Sequence, residues 1–377
     1  MRSEGAEQYM RELEEQKASE SKEDSQAKDK RRLSRRNLIQ GGLVAGMTAS
    51  MAAGGMLHGQ AAADAQQVPP DQETPIGPQW WPSRWGSEDE AGASNWMTPD
   101  KILTAAKLIK TGKIYEMGRI AEGNMPVFGQ RGFLLRIVGS PAGGPLGDNK
   151  IVWNDEFLAT EIGHVGTCLD GLGHIGCQVG QDGDHTQMRF YNGFSQHEVV
   201  GPHGLKKLGM EKVKPFFTRG VLVDIVALKG RMLNKGEEIT AADLRGALAR
   251  QKISEESFSP GDAIFFNTGW GSLWMTNNSK YNDGEPGIGM EVAQWIAGKQ
   301  LSLVGADNWG VEAVPNPDAS IVFPAHNELI TKHGIFIYEG LDFTELLEDR
   351  VYEFAYVLTP LRIKGATGSI SRPIAIA

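Results

Sequence analysis

The segment His164-Val-Gly-Thr-Cys168-Leu-Asp170-Gly-Leu-Gly-His174 constrains this chain more than any other. Four side chains that serve as metal ligands or bases fall within eleven residues, with glycines at 163, 166, 171, 173 and 176 around and between them. Each glycine costs a helix about 1 kcal/mol relative to alanine, so the segment does not read as a helix. It reads as a turn-rich piece of chain that folds back and aims several side chains at one point. Imidazole, thiolate and carboxylate are the common zinc ligands, so one reading of the pattern is a metal site. The other is a buried structural turn whose histidines are satisfied by hydrogen bonds.

The surrounding chain decides what could carry such a turn. Glycine is abundant, 47 of 377 residues, which disfavours a helical bundle or coiled coil. The pattern alternates. Thr98-Pro99-Asp100 caps a helix whose apolar face is Ile102, Leu103, Ala106 and Ile109, with Gly112 ending it. Lys113–Met117, part of Gly132–Val138, Val221–Val226, Ala263–Asn267, Leu301–Gly305, Ile335–Tyr338 and Tyr352–Leu358 read as strands. Helices are expected from Thr240 to about Arg250, over Met290–Lys299 and over His326–His333, the last capped by Gly334. This interspersion predicts one α/β domain with a mixed central sheet and flanking helices over residues 80–377. Residues 182–215 are polar and irregular and read as a lid or insertion.

The amino terminus reads differently. Residues 1–33 are polar and mixed in charge, with too few apolar groups for a core, and are expected to be disordered. Residues 34–65 carry Arg35-Arg36, then a run without charge from Asn37 to Ala63, then Ala61-Ala-Ala-Asp64-Ala65. A charged start, a weakly apolar middle and a small-x-small end predict a twin-arginine export signal, and hence a periplasmic or otherwise exported protein. An uncleaved anchor is the other reading of the same run. Residues 66–79 are a linker by composition. The net charge of −9 excludes a basic nucleic-acid surface, and contact with a membrane is expected only during export. No G-x-S-x-G elbow is present, which disfavours a serine hydrolase.

The His164–His174 segment resembles the H-x-G-T-H-x-D-x-x-x-H motif of the cyclase superfamily, which includes kynurenine formamidases and isatin hydrolase. His164, Gly166, Thr167, Asp170 and His174 match, and Cys168 replaces the middle histidine. Thr218–Asp224, Gly305–Trp309 with Glu312, His326 with Glu339, and Gly365–Ser369 with Arg372-Pro373 extend the resemblance over nearly all of residues 80–377. The resemblance implies a metal held by His164, Cys168, Asp170, His326 and Glu339. It makes His174 the proton-transferring histidine or a second-metal ligand. It further implies metal-assisted hydrolysis of a small amide, formamide or cyclic amide, and a dimer or tetramer of identical chains. A thiolate at Cys168 would tilt the choice of metal from Mn²⁺ towards Zn²⁺. Cys168 could instead pair with Cys177 in a disulfide, leaving a disabled centre and a binding protein or pseudoenzyme.

Overall fold

The structure, a computed structural model, describes residues 73–377. The segments expected at 1–33 and 34–65, and the first part of the linker, lie outside the described residues. The rest of that linker, Glu73–Pro78, forms a small antiparallel pairing of two short strands.

A nine-stranded mixed sheet organises the molecule. Its centre is four parallel strands, Phe216–Asp224, Ala263–Asn267, Leu303–Ala306 and Phe336–Glu339, in that spatial order. Parallel neighbours need long connections, and the helices Ala241–Gln251 and Met290–Gly298 lie on two of them. The sequence of these strands explains their place. Val221–Val223, Ala263–Phe266 and Phe336–Tyr338 are apolar at consecutive positions, and all are buried. A strand covered on both faces needs that continuity. Antiparallel strands close the sheet on either side. Glu353–Leu358, Ile374–Ile376 and Ile114–Glu116 follow one edge, and Cys168–Asp170 then Gly368–Ile370 the other.

Local signals hold where caps fix them. Thr98 accepts from the Lys101 backbone N–H, with Pro99 opening the helix. Thr240 and Asp243 form a reciprocal capping box. The first helix ends at Ala106, short of Gly112, and its buried contact is Ala105 while Leu103 stays exposed. The apolar run at Val221–Val226 splits after Asp224, which caps a short helix from Ile225 to Lys229. Residues 182–215 are not a polar lid. Tyr191, Phe194, Val199, Leu205, Leu208 and Met210 from that stretch are buried in the main core. Among the described residues no helix is long and apolar enough to cross a membrane.

Candidate metal centre

The glycine-rich segment becomes a turn that feeds an inner strand. Gly166 adopts a positive φ of 65°, the region glycine enters without strain. Thr167 fixes the turn by accepting from the Arg119 backbone N–H at 2.8 Å and donating to the Gly340 carbonyl at 2.7 Å. Cys168–Asp170 is then a strand, paired on one side with Phe336–Glu339 and on the other with Gly368–Ile370. Alternation along a strand sends Cys168 and Asp170 to one face and Leu169 to the other. The register sets Glu339 directly opposite Cys168. Cys168 and Asp170 thus share one sheet face with Glu339, which lies 171 positions beyond Cys168. Gly171 lets the chain turn tightly beyond them: a Cβ there would lie 2.6 Å from the Thr367 carbonyl oxygen.

Two groups of three ligand-type side chains meet on Asp170. His164, Asp170 and His174 form one, and Asp170, His326 and Glu339 the other, each with its ligand atoms within 4.8 Å of one another. Nδ1 of His164 is 3.1 Å from Asp170 Oδ1, while its Nε2 meets the Thr367 hydroxyl at 2.9 Å. Nε2 of His174 is 3.9 Å from Asp170 Oδ2, and its ring stacks on that of His164 with centroids 4.0 Å apart. Nε2 of His326 lies 3.5 Å from Asp170 Oδ2 and 3.8 Å from Glu339 Oε1. Five of the six residues singled out in the sequence are therefore in these groups. Cys168 is in neither, but it lines the same cavity, and its thiol donates to Glu339 Oε2 across 3.5 Å. The disulfide alternative does not form: Cys168 and Cys177 are both free.

Glu312 sets the tautomer of His326. Its carboxylate accepts from the Ala325 and His326 backbone N–H groups at 3.1 and 3.0 Å, and from His326 Nδ1 at 2.5 Å. With Nδ1 donating, the Nε2 lone pair points at carboxylate oxygens. Two acceptors face each other there, and only a proton or a cation between them relieves the repulsion. Asp170 Oδ2 is buried and has no hydrogen-bond donor. A buried oxygen left so costs about 1–3 kcal/mol or more when charged.

The titration behaviour points the same way. Burial works against the Asp170 anion, but His174, His164 and His326 together hold its carboxyl well below the usual carboxylate range. Burial and the Asp170 charge raise Glu339. Burial opposes a charged His326, yet Asp170, Glu312 and Glu339 outweigh it and push the imidazole up. Burial lowers His174 to about 4, so it is neutral and offers a lone pair. Burial, then Glu339 and Asp170, pushes the Cys168 thiol up, which keeps it protonated in the absence of a cation. Carboxylates converging on imidazole lone pairs, with an orphaned buried oxygen at the centre, fit a divalent cation.

The cavity beside this cluster is small, about 20 Å³, and is walled by Phe128, Arg131, Trp274, Tyr281 and Trp309. Phe128 stacks on Trp309 at 4.3 Å between centroids. Tyr281 Oη, Asn282 Oδ1 and Trp309 Nε1 also line it or its edge and have no partner. Only Trp274 among these carries a sequence signal for a pocket wall, because it follows the strand end at Asn267. Where a helix was expected over His326–His333, the chain makes a short α turn at Pro324–His326 followed by a π-helical stretch over Asn327–Lys332. His185, His197 and His203, on the middle stretch, belong to neither ligand group. Trp85 packs against the main core, and the Trp80 indole N–H donates to the Phe190 carbonyl.

The Cyclase family model matches residues 99–313, more than half of the chain. A crystal structure of a novel cyclase is 34% identical, with a TM-score of 0.68, covering 78% of this chain and 96% of that one. Isatin hydrolase A from Labrenzia aggregata, bound to benzyl benzoate, is 17% identical with a TM-score of 0.51, covering 73% and 97%. Isatin hydrolase A from Ralstonia solanacearum is also 17% identical, with a TM-score of 0.50 and coverage of 74% and 98%. At that identity the likeness is one of fold. No curated protein matches the sequence. A family match over more than half of the chain, with a solved cyclase at one third identity over most of it, places this protein in the Cyclase family.

Proposed function

We propose that this protein is an exported, metal-dependent hydrolase of a small amide, formamide or cyclic amide, of the kynurenine-formamidase kind. The observation that carries the reading is Asp170: a fully buried carboxylate shared by two ligand groups, with one oxygen lacking any donor. His164, Asp170, His326 and Glu339 would hold the ion, with Cys168 beside them. A thiol in that position favours Zn²⁺ over Mn²⁺. A divalent cation there supplies Lewis acidity, polarising a carbonyl and acidifying water.

The chain's own residues do the rest. Glu312 keeps His326 turned with Nε2 towards Asp170 and Glu339. His174, neutral and only partly covered, is placed to take a proton at Nε2 and return it to a leaving nitrogen. The unpaired Trp309 Nε1 and Tyr281 Oη are donors without acceptors, and a substrate carbonyl supplies what they lack. Phe128 over Trp309 leaves room for about one water, so a substrate enters only when that stack opens. Solvent exclusion of that kind strengthens every charge interaction inside. Likeness in fold to isatin hydrolase A supports the cyclic-amide option. The Arg35-Arg36 signal supports export, with a metal acquired before transport.

The test pairs metal content with turnover. The purified full chain, loaded with Zn²⁺ or Mn²⁺, is assayed on N-formyl aromatic amines, simple amides and isatin. Metal uptake with hydrolysis of at least one class is the expected result. Metal uptake without turnover on any of them, with turnover appearing in Cys168→His, would make the natural chain a binding protein on this scaffold. Retention in the cytoplasm of the Arg35→Lys, Arg36→Lys double variant is the expected outcome for export.

A further inference from the structure

Beside the segment from Pro78 to Trp85 lies a cavity of about 320 Å³, at the small end of the range for ligand sites. None of its lining residues belongs to the two ligand groups or to the cavity beside them. Its walls are pinned by hydrogen bonds. Trp80 and Tyr191 are buried there, with the Trp80 indole N–H on the Phe190 carbonyl at 3.1 Å and the Tyr191 hydroxyl donating to Asp89 Oδ2 at 2.7 Å. Asn192 clamps the loop that carries Arg84 and Trp85. Its Oδ1 accepts from the Ser83 backbone N–H at 2.7 Å, and its Nδ2 donates to the Gly86 carbonyl at 2.8 Å. With those donors engaged, the aromatic residues supply apolar wall, which suits a flat ring. A cavity fixed in advance spares a ligand the cost of ordering it.

Charge defines the rest. The chain has a net charge of −9, yet no Asp or Glu lines this cavity. Lys332 and His333 do line it, and they share a single carboxylate, Glu328, at 2.6 and 3.2 Å. Arg84 has none. Its guanidinium sits over the Trp96 and Trp85 rings, 4.9 and 5.7 Å from their centroids, and among the described residues it forms no ion pair or side-chain hydrogen bond. Stacking occupies the face of a guanidinium and leaves its edge of N–H donors free for a planar, two-oxygen acceptor. The opposite need exists on the same cavity. Gln79 donates through Nε2 to the Trp81 carbonyl at 2.8 Å, while its Oε1 is buried and receives no donor.

We propose that this cavity is a second ligand site, which takes a planar aromatic carboxylate bearing a hydroxyl or amino donor. The carboxylate pairs with the edge of Arg84, the ring lies among Trp80, Trp85 and Tyr191, and the donor meets Gln79 Oε1. A free inorganic anion satisfies only the first of these needs, and an uncharged phenol only the other two.

Calorimetric titration of the full chain with 4-hydroxybenzoate tests this, on the metal-stripped and on the Zn²⁺-loaded protein. One site per chain, filled alike in both states, is expected. Benzoate, 4-hydroxybenzyl alcohol and inorganic phosphate each lack one of the three features and are expected to bind about tenfold more weakly or worse. Arg84→Gln is expected to lower the affinity for 4-hydroxybenzoate about 10–100-fold, with an unchanged circular dichroism spectrum. Tryptophan emission of the unsubstituted protein is the second readout, and is expected to change as the site fills. Binding that requires the metal, that Arg84→Gln leaves intact, or that leaves tryptophan emission unaltered overturns the inference by placing the ligand elsewhere. Phosphate binding as tightly as 4-hydroxybenzoate overturns it in favour of a site for charge alone. No uptake of millimolar 4-hydroxybenzoate overturns it outright.

Discussion

At the scale of single residues, the site rests on one histidine being held by one carboxylate. Glu312 is legible in the sequence only as a loop acid or a supporting group, because nothing in its neighbourhood shows that it folds over the start of the helical turn at Pro324. Its effect is specific. Glu312→Gln keeps the shape but weakens the grip on Nδ1–H, so metal affinity is expected to fall about 10–100-fold with the fold intact. Competition with a chromophoric chelator measures it, and an unchanged affinity would remove Glu312 from the account. His174 makes a second case. Its spacing from Asp170 is plain in the sequence, and the structure sets its Nε2 3.9 Å from that carboxylate. His174→Ala is expected to lower turnover about 10²–10⁴-fold while one metal stays bound. Metal loss in step with activity would make it a ligand instead. Cys168 is readable as a departure from the motif, but its position opposite Glu339 is not. Their contact comes from strand register, which no local pattern encodes.

At the scale of elements, the strands that bury both faces are visible as apolar runs, and capped helices are visible from their caps. Length and the face buried are not. The first helix ends at Ala106 because the chain leaves through 3₁₀-like turns, with Leu108 and Ile109 bonded to Ala105 and Ala106 carbonyls. The π-helical stretch at Asn327–Lys332 is hidden because its composition is ordinary for a helix. Such stretches recur at functional sites. One ion cluster ties two elements. Asp262, 1% exposed, accepts from Arg219 Nη1 at 2.9 Å and pairs with Lys101 on the first helix. Asp262→Ala strands Lys101 and leaves Arg219 with Glu353 as its one remaining carboxylate, so a loss of about 3 kcal/mol is expected in denaturant unfolding. Metal affinity should not change, since the cluster is remote from Asp170. A loss below about 1 kcal/mol would show the pairs to be solvated surface contacts.

For the whole molecule, the α/β class and the family are legible in the sequence, because alternating elements and one dense motif both survive in a linear reading. The middle stretch misleads for a physical reason. Residues 182–215 are mostly polar by count, yet Tyr191, Phe194, Val199, Leu205, Leu208 and Met210 turn into the core, which composition cannot show. The ribbon of Phe133–Ile137 with Glu156–Thr160 escapes a linear reading likewise: one of its strands is readable from its residues, but its partner and its exposure arise only in three dimensions. An ion that binds the folded chain and not the unfolded one stabilises by mass action, about 4 kcal/mol at a thousandfold excess over its dissociation constant. Adding a chelator should therefore lower the melting temperature of the loaded protein, and Asp170→Asn should abolish that response. The most direct test of the account is calorimetric titration of the metal-stripped full chain with Zn²⁺, with Asp170→Asn as its control. Saturable uptake with release of protons from the site, lost in Asp170→Asn while the fold is retained, is the result expected. A folded chain that takes up no metal, or an Asp170→Asn protein that binds as tightly as the original, would contradict it.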